Sequence, residues 1–351
     1  MNTLSSRAAC WGALFFTALG GVSCAEKPAS AQAWRLEPLP GAWRADGFAE
    51  ALDLSGIASV NGRECLVVSD ELLAAQAGQI DRARGVITAG AMLTLMENPG
   101  GKKMELDLEG VAASPDGAFY YLTGSHGVGK KKGDVQPQRF FVFQVPVDPK
   151  TGAARREGIQ RASLLPWLEK SAEFSRYVRQ PLQSNGFNIE GIASAGGKLF
   201  FGVRGPNAGG TGYVIEADAR ALFAGEDPKC VAHALPLGAG RGVRDIVACR
   251  GGFLLVLGNA SAEPSKKFPV SEARQPDSRF EIAWWQPDKA SSFTKIGEIP
   301  ATDGKAEGLL VLEEAAGHVD VLCLFDGSAD GGPAGYRLHR PAAAVAAAPV
   351  R

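Results

Sequence analysis

Asn188-Ile-Glu-Gly-Ile-Ala-Ser194 turns through Gly196-Gly197 and runs on into Lys198-Leu-Phe-Phe-Gly-Val-Arg204, and this stretch decides the fold because it recurs. Asp107-Leu-Glu-Gly-Val-Ala-Ala113 turns at Pro115-Asp-Gly117 and enters Ala118-Phe-Tyr-Tyr-Leu-Thr-Gly-Ser125. Asp53-Leu-Ser-Gly-Ile-Ala-Ser59 turns at Asn61-Gly62 before Cys65-Leu-Val-Val-Ser-Asp70. Gly242-Val-Arg-Asp-Ile-Val-Ala248 turns at Gly251-Gly252 before Phe253-Leu-Leu-Val-Leu-Gly258, and Lys305-Ala-Glu-Gly-Leu-Leu-Val311 turns near Gly317 before Val319-Asp-Val-Leu-Cys-Leu-Phe325. Each copy is an apolar strand, a tight glycine turn and a second apolar strand, which is a β-hairpin pattern. Five hairpins spaced about 50–80 residues apart indicate radial repetition of one unit.

Outward from the hairpins, each unit adds a third and fourth strand, such as Arg139–Pro146 with 159–165, or Tyr213–Ala217 with Cys230–Leu237. The last unit stops after Tyr336–Arg340, and Trp34–Leu39 is free to supply its fourth strand, closing the ring and removing exposed edges. The chain is therefore expected to be an all-β, single β-propeller over 34–340, closed by the N-terminal strand. Five blades are counted; six would also suit 34–340 at the usual ~40–50 residues per blade. Trp167, Phe174 and Val178 fall on one helical face, which predicts an amphipathic helical insertion near 166–187 covering the long-loop face.

Ahead of this domain, Arg7 and the apolar run Ala8–Leu19 precede small-residue cleavage sites at Ser23-Cys-Ala25 and Ala31-Gln-Ala33. That is a secretory signal peptide over 1–33, implying a periplasmic or secreted protein. The apolar run is too short to span a membrane. Gly21-Val-Ser-Cys24 resembles a degenerate lipoprotein box with Gly21 in the usual leucine position, so anchoring through Cys24 stands as the alternative. The Ala/Pro tail 341–351 has no pattern and is expected to be disordered. The 351 residues carry a formal net charge of −1, a balance that gives no support for a nucleic-acid or membrane-surface partner through bulk charge. Of the cysteines after the leader, Cys65, Cys249 and Cys323 sit among strand hydrophobes as buried thiols, and Cys230 with Cys249 is the one pairing worth testing.

In such a repeat the loops after second strands and before first strands share one face. They are the long ones here, among them 97–106, 126–138, 166–187 and 258–279, and long loops on a rigid scaffold carry function. Aligning the hairpins puts Ser55, Glu109, Glu190, Arg244 and Glu307 at one equivalent position, expected to ring the mouth of the central channel. The ends of the second strands add a wider circle of Asp70, His126, Arg204, Asn259 and Asp326. Buried like charges are costly unless paired or bound to a cation. Either Ser55, Glu109, Glu190 and Glu307 hold Ca²⁺ in an oxygen cage, or Arg244 pairs with Glu190 or Glu307; a slip of one residue would instead bring Asp245 to the ring. His126 is the candidate proton donor and acceptor, and Lys130-Lys-Lys132 would draw anions to the mouth. No HExxH, GxSxG, dinucleotide fingerprint or zinc-spaced Cys/His cluster is present.

At Asp107-Leu-Glu-Gly-Val-Ala, Thr123-Gly-Ser-His126, Asn188-Ile-Glu-Gly-Ile-Ala, Gly202-Val-Arg-Gly-Pro206 and Gly240-Arg-Gly-Val-Arg-Asp245, the chain resembles a bacterial family, domain of unknown function 3616 (DUF3616), over about 53–330. That resemblance implies membership and no activity. More distantly, the Glu-Gly-Ile-Ala repeat is similar to phytase-like propellers with esterase-like activity, and the Ser and Glu ring to calcium-activated nucleotidases. The second likeness implies an axial Ca²⁺ on Ser55, Glu109, Glu190 and Glu307, with Arg244 departing from the pattern. The expected function is hydrolysis of a phosphoric or other anionic ester: Arg204 and Arg244 bind the anion, assisted by Asp70, Asn259 and Asp326, the glutamates hold Ca²⁺ or a water, and His126 moves the proton. The alternative is a non-catalytic propeller binding a ligand or an envelope partner.

Overall fold

A computed structural model describes residues 33–100, 103–270, 279–287, 292–300 and 302–341. The expected leader and tail fall outside these residues, apart from Ala33 and Pro341. Strand β1 (Arg35–Pro38) pairs with the last strand of the chain, and β2 (Arg44–Asp46) lies parallel to the outermost strand of blade 1. Blade 1 is β3 (Leu54–Ser59), β4 (Glu64–Ser69), β5 (Ala74–Asp81) and β6 (Val86–Thr94). Blade 2 is β7 (Leu108–Ala113), β8 (Phe119–Gly124), β9 (Val142–Pro146) and β10 (Gln160–Ala162); blade 3 is β11 (Asn188–Ala195), β12 (Lys198–Ala208), β13 (Thr211–Asp218) and β14 (Val231–Leu235). Blade 4 is β15 (Arg241–Cys249), β16 (Gly252–Asn259), β17 (Glu281–Trp285) and β18 (Thr294–Glu298). Blade 5 is β19 (Lys305–Glu314), β20 (His318–Asp326), β21 (Ala334–His339) and β1. The protein is a five-bladed all-β propeller.

Closure follows the expected route. Arg35 to Pro38 run antiparallel to His339 to Tyr336, so the N-terminal strand completes the blade built by the C-terminal ones. Trp34 packs on Trp284 of blade 4 with ring centroids 5.4 Å apart, carrying the seam across to the neighbouring blade. The apolar core divides into five clusters, one between each pair of adjacent blades. Strands buried on both faces explain why the hairpins read as continuous apolar runs.

Two expectations change. The segment 166–187 is a single helical turn, α1 (Leu165–Leu168), followed by turns and a 3₁₀ turn at Leu182–Ser184. Ser171 accepts from the Glu173 N–H at 3.2 Å and donates to its carboxylate at 2.7 Å, a local bond that competes with helix propagation, and Arg179 and Asn185 turn left-handed. Phe174 and Val178 are nonetheless buried, so the apolar spacing marked packing and not a helix. Cys230 and Cys249 are free thiols in different interblade cores, Cys230 between blades 2 and 3 and Cys249 between blades 4 and 5.

Candidate functional site

Every innermost strand carries a register shift, between Leu54 and Gly56, Leu108 and Gly110, Ile189 and Gly191, Val243 and Asp245, and Ala306 and Gly308. The residues left over at these bulges are Ser55, Glu109, Glu190, Arg244 and Glu307. A bulge inserts one unpaired residue and re-aims its side chain, so the repeat equivalence seen in the sequence has a backbone cause. After the bulge comes glycine in four blades, and a Cβ on Gly110 would sit 3.1 Å from the Gly191 Cα. In these four blades glycine lets the neighbouring strand approach this closely around the axis.

Blade 4 breaks the rule with Asp245. Its Oδ1 accepts from the Ile246 N–H at 2.8 Å and its Oδ2 from the Leu309 N–H of blade 5 at 2.6 Å, and burial pushes its carboxyl well up. The ring position belongs to Arg244, and Asp245 staples blade 4 to blade 5.

On the long-loop side of this constriction lies a cavity of about 730 Å³. Its walls include Asp70, Glu109, Lys130, Gln183, Glu190, Arg204, Arg244, Asn259, Lys305, Glu307 and Asp326. Five predicted side chains besides the glutamates and arginines need separate placement. Asp70, Arg204, Asn259 and Asp326 line the cavity; Ser55, bonded at 3.4 Å to the Asp53 carbonyl, is not on its wall. His126 does not reach it either. Its backbone turns left-handed (φ 52°) and sends the ring into the core, where Nδ1–H donates to the Gly124 carbonyl at 3.0 Å and Nε2 accepts from the Leu164 N–H at 3.3 Å. Burial pushes its pKa down to about 4, leaving a neutral, structural imidazole. Lys130 and Gln183 join the site by tertiary folding; Gln183 carried no sequence signal.

Glu190 is the electrostatic centre. Arg204 Nη1 donates to one of its oxygens at 2.7 Å and Arg244 lies 3.0 Å from the other. Arg204 is held in turn by the carbonyls of Asn259 at 3.1 Å and Ser261 at 2.5 Å. Arg244 also contacts Glu307. Burial would raise Glu190, but Arg204, Arg244 and Lys130 outweigh it and hold its carboxyl below the usual range. Both guanidinium groups are thus committed to protein partners.

Glu109 and Asp70 behave oppositely. Glu109 Oε1 and Asp70 Oδ1 are buried and have no hydrogen-bond partner. Burial, then the charges of Glu190 and Asp107, push Glu109 well above its ordinary value. Burial also raises Asp70, against the pull of Lys130, to about 7. Burial would lower Lys130, yet Glu109, Asp107 and Glu190 raise it, so the ammonium stays charged over the acids. Asp107 is itself gripped by Arg139 at 3.0 Å.

One oxygen from each of Glu109, Glu190 and Glu307 lies within 4.8 Å of the other two, a spacing compatible with oxygens about 2.3–2.6 Å from a Ca²⁺. The donor set does not fit that ion with Arg244 in place, because its guanidinium already contacts two of the three carboxylates.

The family model described as "Protein of unknown function (DUF3616)" matches residues 139–339. The chain belongs to this family. No curated protein matches it. Among solved structures, the chain is similar to the PQQ-bound aldose sugar dehydrogenase of Streptomyces coelicolor (12% identity, 88% of this chain and 98% of that one, TM-score 0.40). It is also similar to a GH43 β-1,3-galactosidase (10%, 86% and 94%, 0.46) and to virginiamycin B lyase of Staphylococcus aureus (9%, 88% and 99%, 0.36). At these scores the likenesses carry no argument about the activity of this family member. No helix among the described residues is long and apolar enough to cross a membrane.

Proposed function

We propose that the axial cavity is the active site of an exported hydrolase that cleaves a phosphoric or other anionic ester by acid–base catalysis on two carboxyl groups. The observation that carries this reading is the divergence of neighbouring acids in one cavity. Glu190 is held ionised by two arginines, Glu109 keeps its proton and Asp70 titrates near neutrality, the last two presenting orphaned oxygens. Pairs of acids whose surroundings separate their pKa values mark acid and base roles.

Asp70, titrating near neutrality, takes a proton from water as the water attacks the ester carbon or phosphorus. Glu109, still protonated, gives its proton to the leaving oxygen, so water is consumed and an acid and an alcohol are released. Lys130 faces the anionic group and the charge that grows on the attacked centre. Arg204 and Arg244 act through Glu190 and Glu307, whose positions they fix, and no Ca²⁺ is required.

A panel of phosphoric and carboxylic esters, assayed with Ca²⁺ and with chelator, tests this. Wild type is expected to turn over at least one class equally under both conditions, with Asp70→Asn and Glu109→Gln each slower by roughly 10²–10⁴-fold. Turnover that disappears with chelator would put a metal in the mechanism. Absence of turnover above the Glu109→Gln control would leave a ligand-binding propeller.

A further inference from the structure

The loops after β8 and β16 come from blades 2 and 4, yet they meet over blade 3. Lys267 Nζ donates to the Lys132 carbonyl at 2.7 Å, and the Phe268 ring rests on Gly133, where a Cβ would lie 2.9 Å from it. Gln183, buried beneath, donates from one amide nitrogen to the Lys130 carbonyl at 3.1 Å and the Glu263 carbonyl at 2.9 Å. The result is an arch over the cavity mouth, carrying Lys130 on its inner side and Lys131, Lys132, Lys266 and Lys267 exposed. Among the described residues Lys131, Lys132 and Lys266 have no carboxylate partner.

Below the arch the charges are balanced. Glu190, Glu307 and Asp326 are paired with Arg204, Arg244 and Lys305, so these cations are occupied. The unpaired positive charge open to a strongly anionic group therefore lies at the rim. Ammonium groups are compact point charges on flexible stems, suited to several oxyanions at once, whereas bidentate carboxylate recognition calls for free guanidinium forks. We propose that the lysine arch binds a ligand segment bearing two or more phosphate groups. Resting on the hydrolase reading, this makes the substrate a polyphosphorylated molecule held by its charged end outside the cavity, with the scissile ester reaching down to Asp70 and Glu109.

Calorimetric titration of the full chain carrying Asp70→Asn with tripolyphosphate and with orthophosphate tests the arch. Tripolyphosphate is expected to bind at least about tenfold tighter than orthophosphate, and to weaken about tenfold between ~50 and ~200 mM salt. The triple variant Lys131→Ala/Lys132→Ala/Lys266→Ala, with its melting temperature unchanged, should lose about tenfold or more in affinity. Equal affinity in the triple variant, or orthophosphate bound as tightly as tripolyphosphate, would overturn the proposal. The two readings fail separately. Tripolyphosphate binding without any ester turnover removes the hydrolase and keeps the arch; turnover without tripolyphosphate binding does the reverse.

Discussion

Asp70 holds a proton in the folded protein that it would lose in the unfolded chain. Its carboxyl rises from 3.8 to about 7 because burial penalises the charge. The folded state then binds more protons than the unfolded state between about pH 4 and 7, and its stability falls as pH rises through that window. Below it both states are protonated, and above it both are ionised. Asparagine mimics the protonated acid at every pH, so Asp70→Asn should match wild type near pH 4 and exceed it near pH 8 by on the order of 4 kcal/mol in chemical denaturation. A variant that gains stability while losing turnover is the signature of a functional, strained acid. Equal stability at both pH values would mean that Asp70 is no more costly than a surface carboxylate. Asp70 was legible because it ends a second strand in the repeat. His126 ends one too, and it misled: a single left-handed φ turned its ring inward, and nothing in Thr123-Gly-Ser-His126 announces that angle.

The innermost strand is the element on which the site depends. Its bulge aims one side chain at the axis and its following glycine admits the next blade. A Cβ on Gly191 would stand 2.7 Å from the Asp245 Cα and the Ile246 nitrogen, both backbone atoms that cannot yield without moving blade 4. Gly191→Ala should therefore cost roughly 1–3 kcal/mol or more, whereas Gly317→Ala, with open space around it, should fall within about ±0.5 kcal/mol. Similar melts for the two variants would refute close packing at the axis. The bulges explain why the ring was readable from an alignment of short repeats. The arch was readable only in half: Lys130-Lys-Lys132 reads as drawing anions to the mouth, but nothing in sequence shows that Gln183 and Phe268 bring a loop from another blade onto it.

For the whole molecule, the ring closes through β1, so its stability depends on residues over 300 positions apart in sequence pairing at one seam. His339 bridges to Glu37 at 2.7 Å across that seam, and Leu36 and Trp34 pack into the core between blades 4 and 5. Deleting 34–40 should strip the edge from β21 and lower the melting temperature by several degrees or more, with aggregation at the exposed edge. An unchanged melt would contradict closure by this strand. Blade number and closure were legible because hairpin repeats and an unfinished last blade are local patterns. The extra parallel strand β2 was not, since Arg44–Asp46 is too short and polar to signal pairing.

The account rests on Asp70 as the base and Glu109 as the acid of one cavity, and the pH dependence of kcat/KM for the best ester substrate tests it most directly. With Asp70 ionising near neutrality, kcat/KM should rise about tenfold per pH unit below an apparent pKa of about 7 and level off above it, and Asp70→Asn should lose that limb along with most of the rate. A profile that is flat from about pH 5 to 9, or a limb that survives in Asp70→Asn, would contradict it.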